Sequence, residues 1–526
     1  MRATSGTGPA GEASPPLRVE ELLDPAAYPH PVAAPRLIET NTSRIVLTGD
    51  YAYKLKKPVR FEFLDASTLA RRRFLCEEER RLNARLAPEL YLDVVPIVRD
   101  ARGIRVGGPG TPIEYAVKMR QFDGTQELAA LLEHDAVPAA EIAGLAHRVA
   151  RFHASAPIDV GRPHGTNTER MRAAVLGNLA TLLAHVREDG AAPELGRLID
   201  WTHDRLERDA RRFEDREAGG YVRECHGDLH ARNVVRWEHG LVPFDCLEFD
   251  PALRWIDVMS DTAFLVMDLV GRSRPDLAAV FLDAYVGDTG DYAGVALLPF
   301  YAVYRALVRA MVDTLAAEAG AAGTGAAGRQ AFTDRARARI RTAAGFASPP
   351  PAVLVAMHGP SGSGKSWLSE RLVARVAAIR IRSDVERKRL AGAAPVAHDP
   401  PADARTYARL IDGARTCLEG GVPTILDAAS LRRVDRDRYR ALAAAAGVPL
   451  VILSCRADPT VLTARVAARQ RRGADPSDAD RGVLETQLAT LEPVGADERA
   501  DVVEIATAEP GALEHAIAAI ARSRTR

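Results

Sequence analysis

Neither sign of charge is in excess in this chain of 526 residues, where 70 lysines and arginines face 70 aspartates and glutamates. A balanced total removes any general electrostatic drive toward nucleic acid or an anionic membrane, and leaves only local patches to consider. Cysteine is scarce. Cys76, Cys225, Cys246, Cys417 and Cys455 form no Cys-x-x-Cys pair, and their odd number and wide spacing match no zinc site. They read as small core residues of a protein kept in a reducing compartment. Long apolar runs are missing as well. Val295–Val308 is broken by Arg305 and is too short to span a bilayer. Residues 1–16 are rich in Gly, Pro, Ser and Ala and lack the apolar stretch of a signal peptide. The expectation is a cytoplasmic protein without membrane contact, with residues 1–16 as a flexible tail.

What is present is the composition of an ordinary globular protein, 47% hydrophobic and 27% charged, at a length that favours two or three domains. The Ala- and Gly-dense segment Ala319–Gly328 leads through a basic, helix-like stretch to Ser348-Pro349-Pro350-Pro351. Successive prolines favour an extended connector. The reading is therefore a domain over 17–345, a linker over 346–351 and a second domain over 352–526. In the first, Arg44–Leu47 and Tyr51–Lys56 flank Thr48-Gly49-Asp50 as a hairpin. Leu69–Leu86 then has helical periodicity, and beyond Gln126 long helices are interrupted only by Glu224–Asp250. This predicts an α+β architecture, a small β-rich lobe followed by a larger helical one. In the second, the strand-like runs Val353–Met357, Ala378–Arg382, Thr424–Leu426, Leu450–Ser454 and Asp501–Ile505 alternate with helices. Such alternation predicts an α/β domain with a parallel sheet.

The interruption in the first domain carries chemistry. His226-Gly227-Asp228-Leu229-His230-Ala231-Arg232-Asn233 places a carboxylate and a carboxamide five residues apart, and a hairpin over Val234–Phe244 returns Asp245 toward them. Phosphoryl transfer to a hydroxyl needs one carboxylate to orient the nucleophile, and an amide oxygen with a second carboxylate to hold Mg²⁺. Asp228, Asn233 and Asp245 supply these in order. The pattern resembles the aminoglycoside and choline phosphotransferase family, relatives of the protein kinases. The resemblance implies that Asp228 is the catalytic base, that Asn233 and Asp245 are magnesium ligands, and that Asp257 has a structural role. It also implies a small-lobe lysine for the phosphates of ATP. Ala52-Tyr53-Lys54 fits its position, with Lys56 as the fallback on the same strand face. Glu77, Glu78 and Glu79 are the candidates to pair with it, and Glu78 is favoured by its spacing to Leu82 and Leu86. The Gly-x-Gly-x-x-Gly loop of protein kinases is absent. Glu39-Thr40-Asn41-Thr42-Ser43 stands in its place.

In the second domain, Gly359-Pro360-Ser361-Gly362-Ser363-Gly364-Lys365-Ser366 is an ungapped Gly-x-x-x-x-Gly-Lys-Ser between a strand and a helix. Its N–H groups would cradle phosphates, Lys365 would reach the β- and γ-phosphates, and the Ser366 hydroxyl would bind Mg²⁺. Asp384 and Asp427 both end strands, where ligands bind in open α/β sheets. Asp384 suits an acceptor-orienting, catalytic role and Asp427 a magnesium-linked one. Arg465, Arg469 and Arg472 share one helix face and precede Gly473–Asp480, which reads as a lid. Arg469 and Arg472 are the candidates to neutralise the transferring phosphoryl group.

This half resembles gluconate kinase, the zeta-toxin group and polynucleotide kinases, most of all in Arg382-Ser383-Asp384-Val385-Glu386-Arg387-Lys388-Arg389. The whole chain resembles the bacterial proteins described as bifunctional aminoglycoside phosphotransferase/ATP-binding proteins. That implies two Mg·ATP sites and small-molecule hydroxyl acceptors. One alternative makes the first domain a nucleotide- or ligand-binding regulator of the second. Another makes the second domain a nucleic-acid or toxin-like kinase. No aromatics interleave the basic segment Arg380–Arg389, which ranks nucleic acid below a small acceptor.

Overall fold

The computed structural model describes residues 17–61, 64–101, 103–159, 166–185, 192–318, 325–392, 399–472 and 480–525. The tail expected over 1–16 lies outside the described residues. Contacts divide the chain into two compact units, one of Met1–Leu131, His226–Asp228 and Arg232–Arg254, the other of Leu132–Cys225, Leu229–Ala231 and Trp255–Arg526.

The first unit is built on a six-stranded antiparallel sheet of Arg36–Glu39 (β1), Ser43–Leu47 (β2), Tyr51–Lys56 (β3), Tyr91–Asp100 (β4), Gly103–Val106 (β5) and Pro112–Arg120 (β6), in the order β1-β2-β3-β6-β4-β5. The expected hairpin joins β2 to β3, with Leu47 opposite Ala52. Gly49 turns the corner at a φ of 99°, a conformation open to a residue without Cβ. Alternation along β3 assigns each side chain a face. Tyr53 and Leu55 enter a core closed by Leu22 and Tyr28. Ala52 enters the opposite core, with Cys76 of the helix Leu69–Asn83. Lys54 and Lys56 share the face of Ala52, and are thereby carried beneath that helix. Of the four short strands that follow in the chain, Val222–Glu224 (β7) pairs with Trp255–Asp257 (β10) within the second unit, and Val234–Trp237 (β8) pairs with Gly240–Pro243 (β9) within the first. Val235 and Val242 of the β8–β9 hairpin complete the core around Ala52.

The second unit contains long helices and a parallel sheet of Leu354–His358 (β11), Ile379–Arg382 (β12), Thr424–Asp427 (β13), Leu450–Arg456 (β14) and Val502–Ala506 (β15), in the order β12-β13-β11-β14-β15. These are the five runs expected from the sequence. No helix among the described residues is long and apolar enough to cross a membrane.

The boundary expected at 346–351 falls inside this unit. The helix Gly325–Ala347 ends there, and the prolines lead without regular structure into β11. The helix Pro275–Thr289 explains why contacts do not part at that point. Its Ala279 and Val280 belong to the same core as Val355, Leu368 and Val373. Next to them, Asp283 accepts from the backbone N–H of Arg380 at 2.6 Å, and the Tyr292 hydroxyl donates to the buried Glu386 at 2.8 Å. A chain cut at residue 352 would expose this apolar face and leave Glu386 without its hydroxyl partner. Hydrogen exchange of the helix Lys365–Val376 is therefore expected to be faster in 352–526 alone than in the full chain. Equal protection would make 352–526 an independent domain.

Candidate functional site

Two polar clusters coincide with the two sequence constellations. In the first unit, Glu79 is fully buried and holds two ammonium groups, Lys54 Nζ at 2.8 Å on Oε1 and Lys56 Nζ at 2.5 Å on Oε2. Lys54 also reaches Asp245 Oδ1 at 2.5 Å, and Lys56 reaches Glu248 Oε1 at 2.5 Å. Burial by itself would push the Glu79 carboxyl up, but the two lysines outweigh it and hold the group well below the usual carboxylate range. Burial would likewise drive Lys54 down, yet Asp245 and Glu79 keep it charged, above the usual lysine value.

The partner of Lys54 is thus Glu79, which corrects the expectation of Glu78. The inward stripe of the helix is Leu75, Cys76, Glu79, Leu82 and Asn83. One residue back, the helix has turned by about 100°. Glu78 therefore meets Arg81 at 2.8 Å and Arg254 at 3.3 Å instead.

Asn233 donates through Nδ2 to both the backbone oxygen and Oδ2 of Asp228, at 3.0 Å each. With its nitrogen so engaged, Oδ1 is the atom it can offer a cation. His226 donates through Nε2 to Phe244 O at 2.9 Å and accepts at Nδ1 from Asp228 N at 3.3 Å, a pattern that requires the neutral ring. It ties the turn before Asp228 to the strand end before Asp245. Asp245 has a φ of 63°, a left-handed conformation that costs a non-glycine residue about 1–2 kcal/mol. Two hydrogen bonds hold the bend, from Asp245 N to the Tyr91 hydroxyl at 3.1 Å and from Cys246 N to Asn83 Oδ1 at 2.8 Å. Where a glycine-rich loop is missing, Thr40 and Ser43 close a tight turn between β1 and β2, both N and Oγ1 of Thr40 donating to Ser43 O. Asp257 binds Arg216 at 2.6 and 2.7 Å and caps the helix Val258–Gly271 through Met259 N, all within the second unit.

In the second unit the phosphate loop joins β11 to the helix Lys365–Val376. Its glycines have no room for a side chain. A Cβ at Gly359 would stand 2.5 Å from Cys455 O, and one at Gly364 would stand 2.7 Å from Thr507 Oγ1. The first N–H groups of the helix, which lack intrahelical partners, open onto the loop as an anion site. Lys365 Nζ donates to Pro360 O at 2.8 Å, and burial lowers its pKa against the pull of Asp427. Asp427 accepts from Ser369 Oγ at 3.0 Å and Ser366 Oγ at 3.4 Å. A cleft of about 750 Å³ opens over the loop, lined among others by Lys365, Ser366, Asp384, Asp427 and Arg469. Asp384 lies in the first turn of the helix Ser383–Ala391, whose N-cap is Arg382. Arg465 braces the loop, donating to Gly362 O at 3.2 Å and Thr507 Oγ1 at 3.1 Å. The Arg472 side chain and residues 473–479 of the expected lid lie outside the described residues.

Both clusters fit Mg·ATP by their own chemistry. The second offers a cradle that any Cβ would fill, and the first a lysine kept charged beside Asp245 and an Asn233 whose nitrogen is engaged on Asp228. Sequence reasoning held Glu79 only as one of three candidates behind Glu78, and missed Tyr91, Glu248 and Thr507. The inward stripe of the helix was a signal for Glu79. Tyr91 and Thr507 are far from any motif, and Glu248, three residues after Asp245, belongs to none.

Residues 354–494 match the AAA domain family. The chain is 30% identical over 463 residues to the Uncharacterized protein Rv2004c of Mycobacterium tuberculosis, covering 85% of this chain and 89% of the relative. A gluconokinase structure from Sinorhizobium meliloti covers 33% of this chain and 93% of its own at 23% identity and a TM-score of 0.26. The Plasmodium vivax ethanolamine kinase covers 59% and 81% at 11% identity and a TM-score of 0.36.

Glu79→Gln is expected to cost about 3–5 kcal/mol of stability, because it leaves two buried ammonium groups short of a carboxylate. Glu78→Gln, in a partly exposed pair, should cost under about 1 kcal/mol. The Glu79 contribution is present above its ordinary value of 4.5 and fades as pH falls toward its folded value of about 2. Urea unfolding of both variants at pH 7 and pH 3 measures this. Equal costs at pH 7 would refute the assignment.

Proposed function

This chain belongs to the family of the mycobacterial protein it matches along 85% of its length, a kinase-like module followed by an AAA-type P-loop module, and we propose that both modules are working phosphotransferase sites. Each takes Mg·ATP and a small acceptor bearing a hydroxyl group. The observation that carries this reading is Lys54, held charged on Asp245 in the module whose activity is at issue. A module kept only as a scaffold has no need of an ammonium group buried between the carboxylates of Glu79 and Asp245.

Bound Mg·ATP supplies the phosphoryl group and the leaving group at either site. In the kinase-like site, Asp228 would orient the acceptor hydroxyl and take its proton as the hydroxyl oxygen bonds to the γ-phosphorus and the bond from that phosphorus to the ADP oxygen breaks. Asn233 and Asp245 would hold the cation, and Lys54 would neutralise phosphate charge. Hydrogen bonding of Asn233 to Asp228 supports this division, since one residue fixes both the base and the ligand oxygen. In the P-loop site, the backbone N–H groups of Gly362, Gly364, Lys365 and Ser366, together with the Lys365 ammonium group, would hold the phosphates. Ser366 and Asp427 stand on the cation side, Asp384 orients the acceptor, and Arg469 with Arg472 offsets charge on the group in transfer.

Calorimetry of the full chain is expected to show two equivalents of Mg·ATP, one of them lost in Lys365→Ala. A stoichiometry of one in the wild type would favour the regulatory reading of the first module. Within that module, Asp228→Asn should abolish transfer with nucleotide affinity nearly intact, because the base is not needed to hold nucleotide. Asp245→Asn should weaken Mg·ATP itself, since a charged ligand is lost. Equal losses of nucleotide affinity would refute these roles.

A further inference from the structure

The helix Arg481–Thr490 brings one more polar side chain to the phosphate loop. Gln487 lines the cleft, and its Oε1 accepts from the backbone N–H of Ser361 at 2.7 Å. An N–H group can only donate, so the carboxamide oxygen must face the loop and the –NH₂ must face away from it. The –NH₂ group makes no hydrogen bond among the described residues. The result is an oriented donor on the wall of the cleft.

Two features make this donor rigid. Leu484, one turn earlier, is buried with Leu462 and Val466 of the helix Pro459–Arg472, which fixes Gln487 to the arginine-bearing helix. Asp480 caps the start of the Gln487 helix, accepting from Val483 N at 2.8 Å. The peptide unit of Pro360 and Ser361 is also gripped at both ends, by Lys365 on its oxygen at 2.8 Å and by Gln487 on its nitrogen at 2.7 Å. Lys365 is the side chain that such a loop sends to the β- and γ-phosphates. Gln487 is therefore held one peptide unit away from that ammonium group, with a neutral donor to offer.

We propose that Gln487 is a γ-phosphate ligand of the P-loop site. Its Oε1 remains on Ser361 N–H while its –NH₂ donates to an oxygen of the γ-phosphoryl group. This rests on the reading of that module as an Mg·ATP site. The two bonds of one carboxamide couple the loop to the group in transfer. ADP has no γ-phosphate, so the second bond distinguishes triphosphate from diphosphate. A glutamine neither gains nor loses a proton near neutral pH, and its contribution is independent of pH.

Gln487→Glu separates the two bonds, because a carboxylate still accepts from Ser361 N–H but cannot donate. Gln487→Met removes both without adding charge. The full-length chain is titrated with a non-hydrolysable ATP analogue and with ADP, each with Mg²⁺, and the P-loop equivalent is the one absent in Lys365→Ala. Gln487→Met is expected to bind the analogue about tenfold more weakly, the loss of one charge-assisted hydrogen bond, and Gln487→Glu more weakly than that, because its carboxylate also repels the phosphates. ADP affinity of Gln487→Met should stay within about twofold. Parallel weakening of analogue and ADP would make Gln487 a brace for the loop and overturn the proposal, as would unchanged affinity for both. If Lys365→Ala removes no equivalent from the wild type, the P-loop reading itself fails and this proposal falls with it.

Discussion

Three stretches of chain meet in the buried ion cluster that Glu79 forms with Lys54 and Lys56. A buried ion without a partner costs several kcal/mol, and each ammonium group here would be such an ion if the helix slid or the strand slipped. Lys54 and Lys56 alternate with apolar residues on β3, so a register shift of one residue would turn both into the opposite core. The helix cannot rotate by one residue without exchanging Glu79 for Glu78, which faces the guanidinium groups of Arg81 and Arg254. The segment Asp245–Glu248 is drawn in by the remaining charge on the two lysines. Strand, helix and the bend at Asp245 thus fix one another through charge, while their apolar neighbours set only the general packing.

Much of this was legible in advance where short-range rules act. The β2–β3 hairpin followed from Thr48-Gly49-Asp50, and the β8–β9 hairpin followed from the turn at Glu238–Gly240. The parallel strands followed from apolar runs of the right length. The pairing β12-β13-β11-β14-β15 did not, because the order of strands depends on which helices cover which face. The long strand β4 was not read as a strand. It carries Pro96 in its middle, and its register shifts between Ile97 and Val98, whereas an interior proline normally argues against a central strand.

The candidate sites divide in the same way. Motif residues such as Asp228, Asn233, Asp245 and Lys365 lie in segments whose local geometry brings them together. Residues that complete the sites from a distance, such as Tyr91 behind Asp245 and Thr507 behind Gly364, carry no pattern of their own. Thr507 is an instance of negative space. The glycine is required because the threonine is there, and only the glycine belongs to a motif. The choice between Glu78 and Glu79 lay between these cases, and the inward stripe of the whole helix decides it where spacing to two leucines does not.

The helix Pro275–Thr289 lies in the chain before every strand of the sheet whose core it helps to fill. During synthesis it emerges first and waits. The last of its sheet partners, Ile505, is made more than two hundred residues later, an interval of roughly 10–40 s at about 5–20 residues per second. The face that waits is made of Ala279 and Val280, with Asp283 and the Tyr292 hydroxyl at its edge. Small side chains and polar groups of that kind leave little for a wrong neighbour to seize. The order of translation thus favours a modest surface at this junction, and the tighter grip of the completed fold comes from hydrogen bonds that form only when β12 and the helix after it arrive.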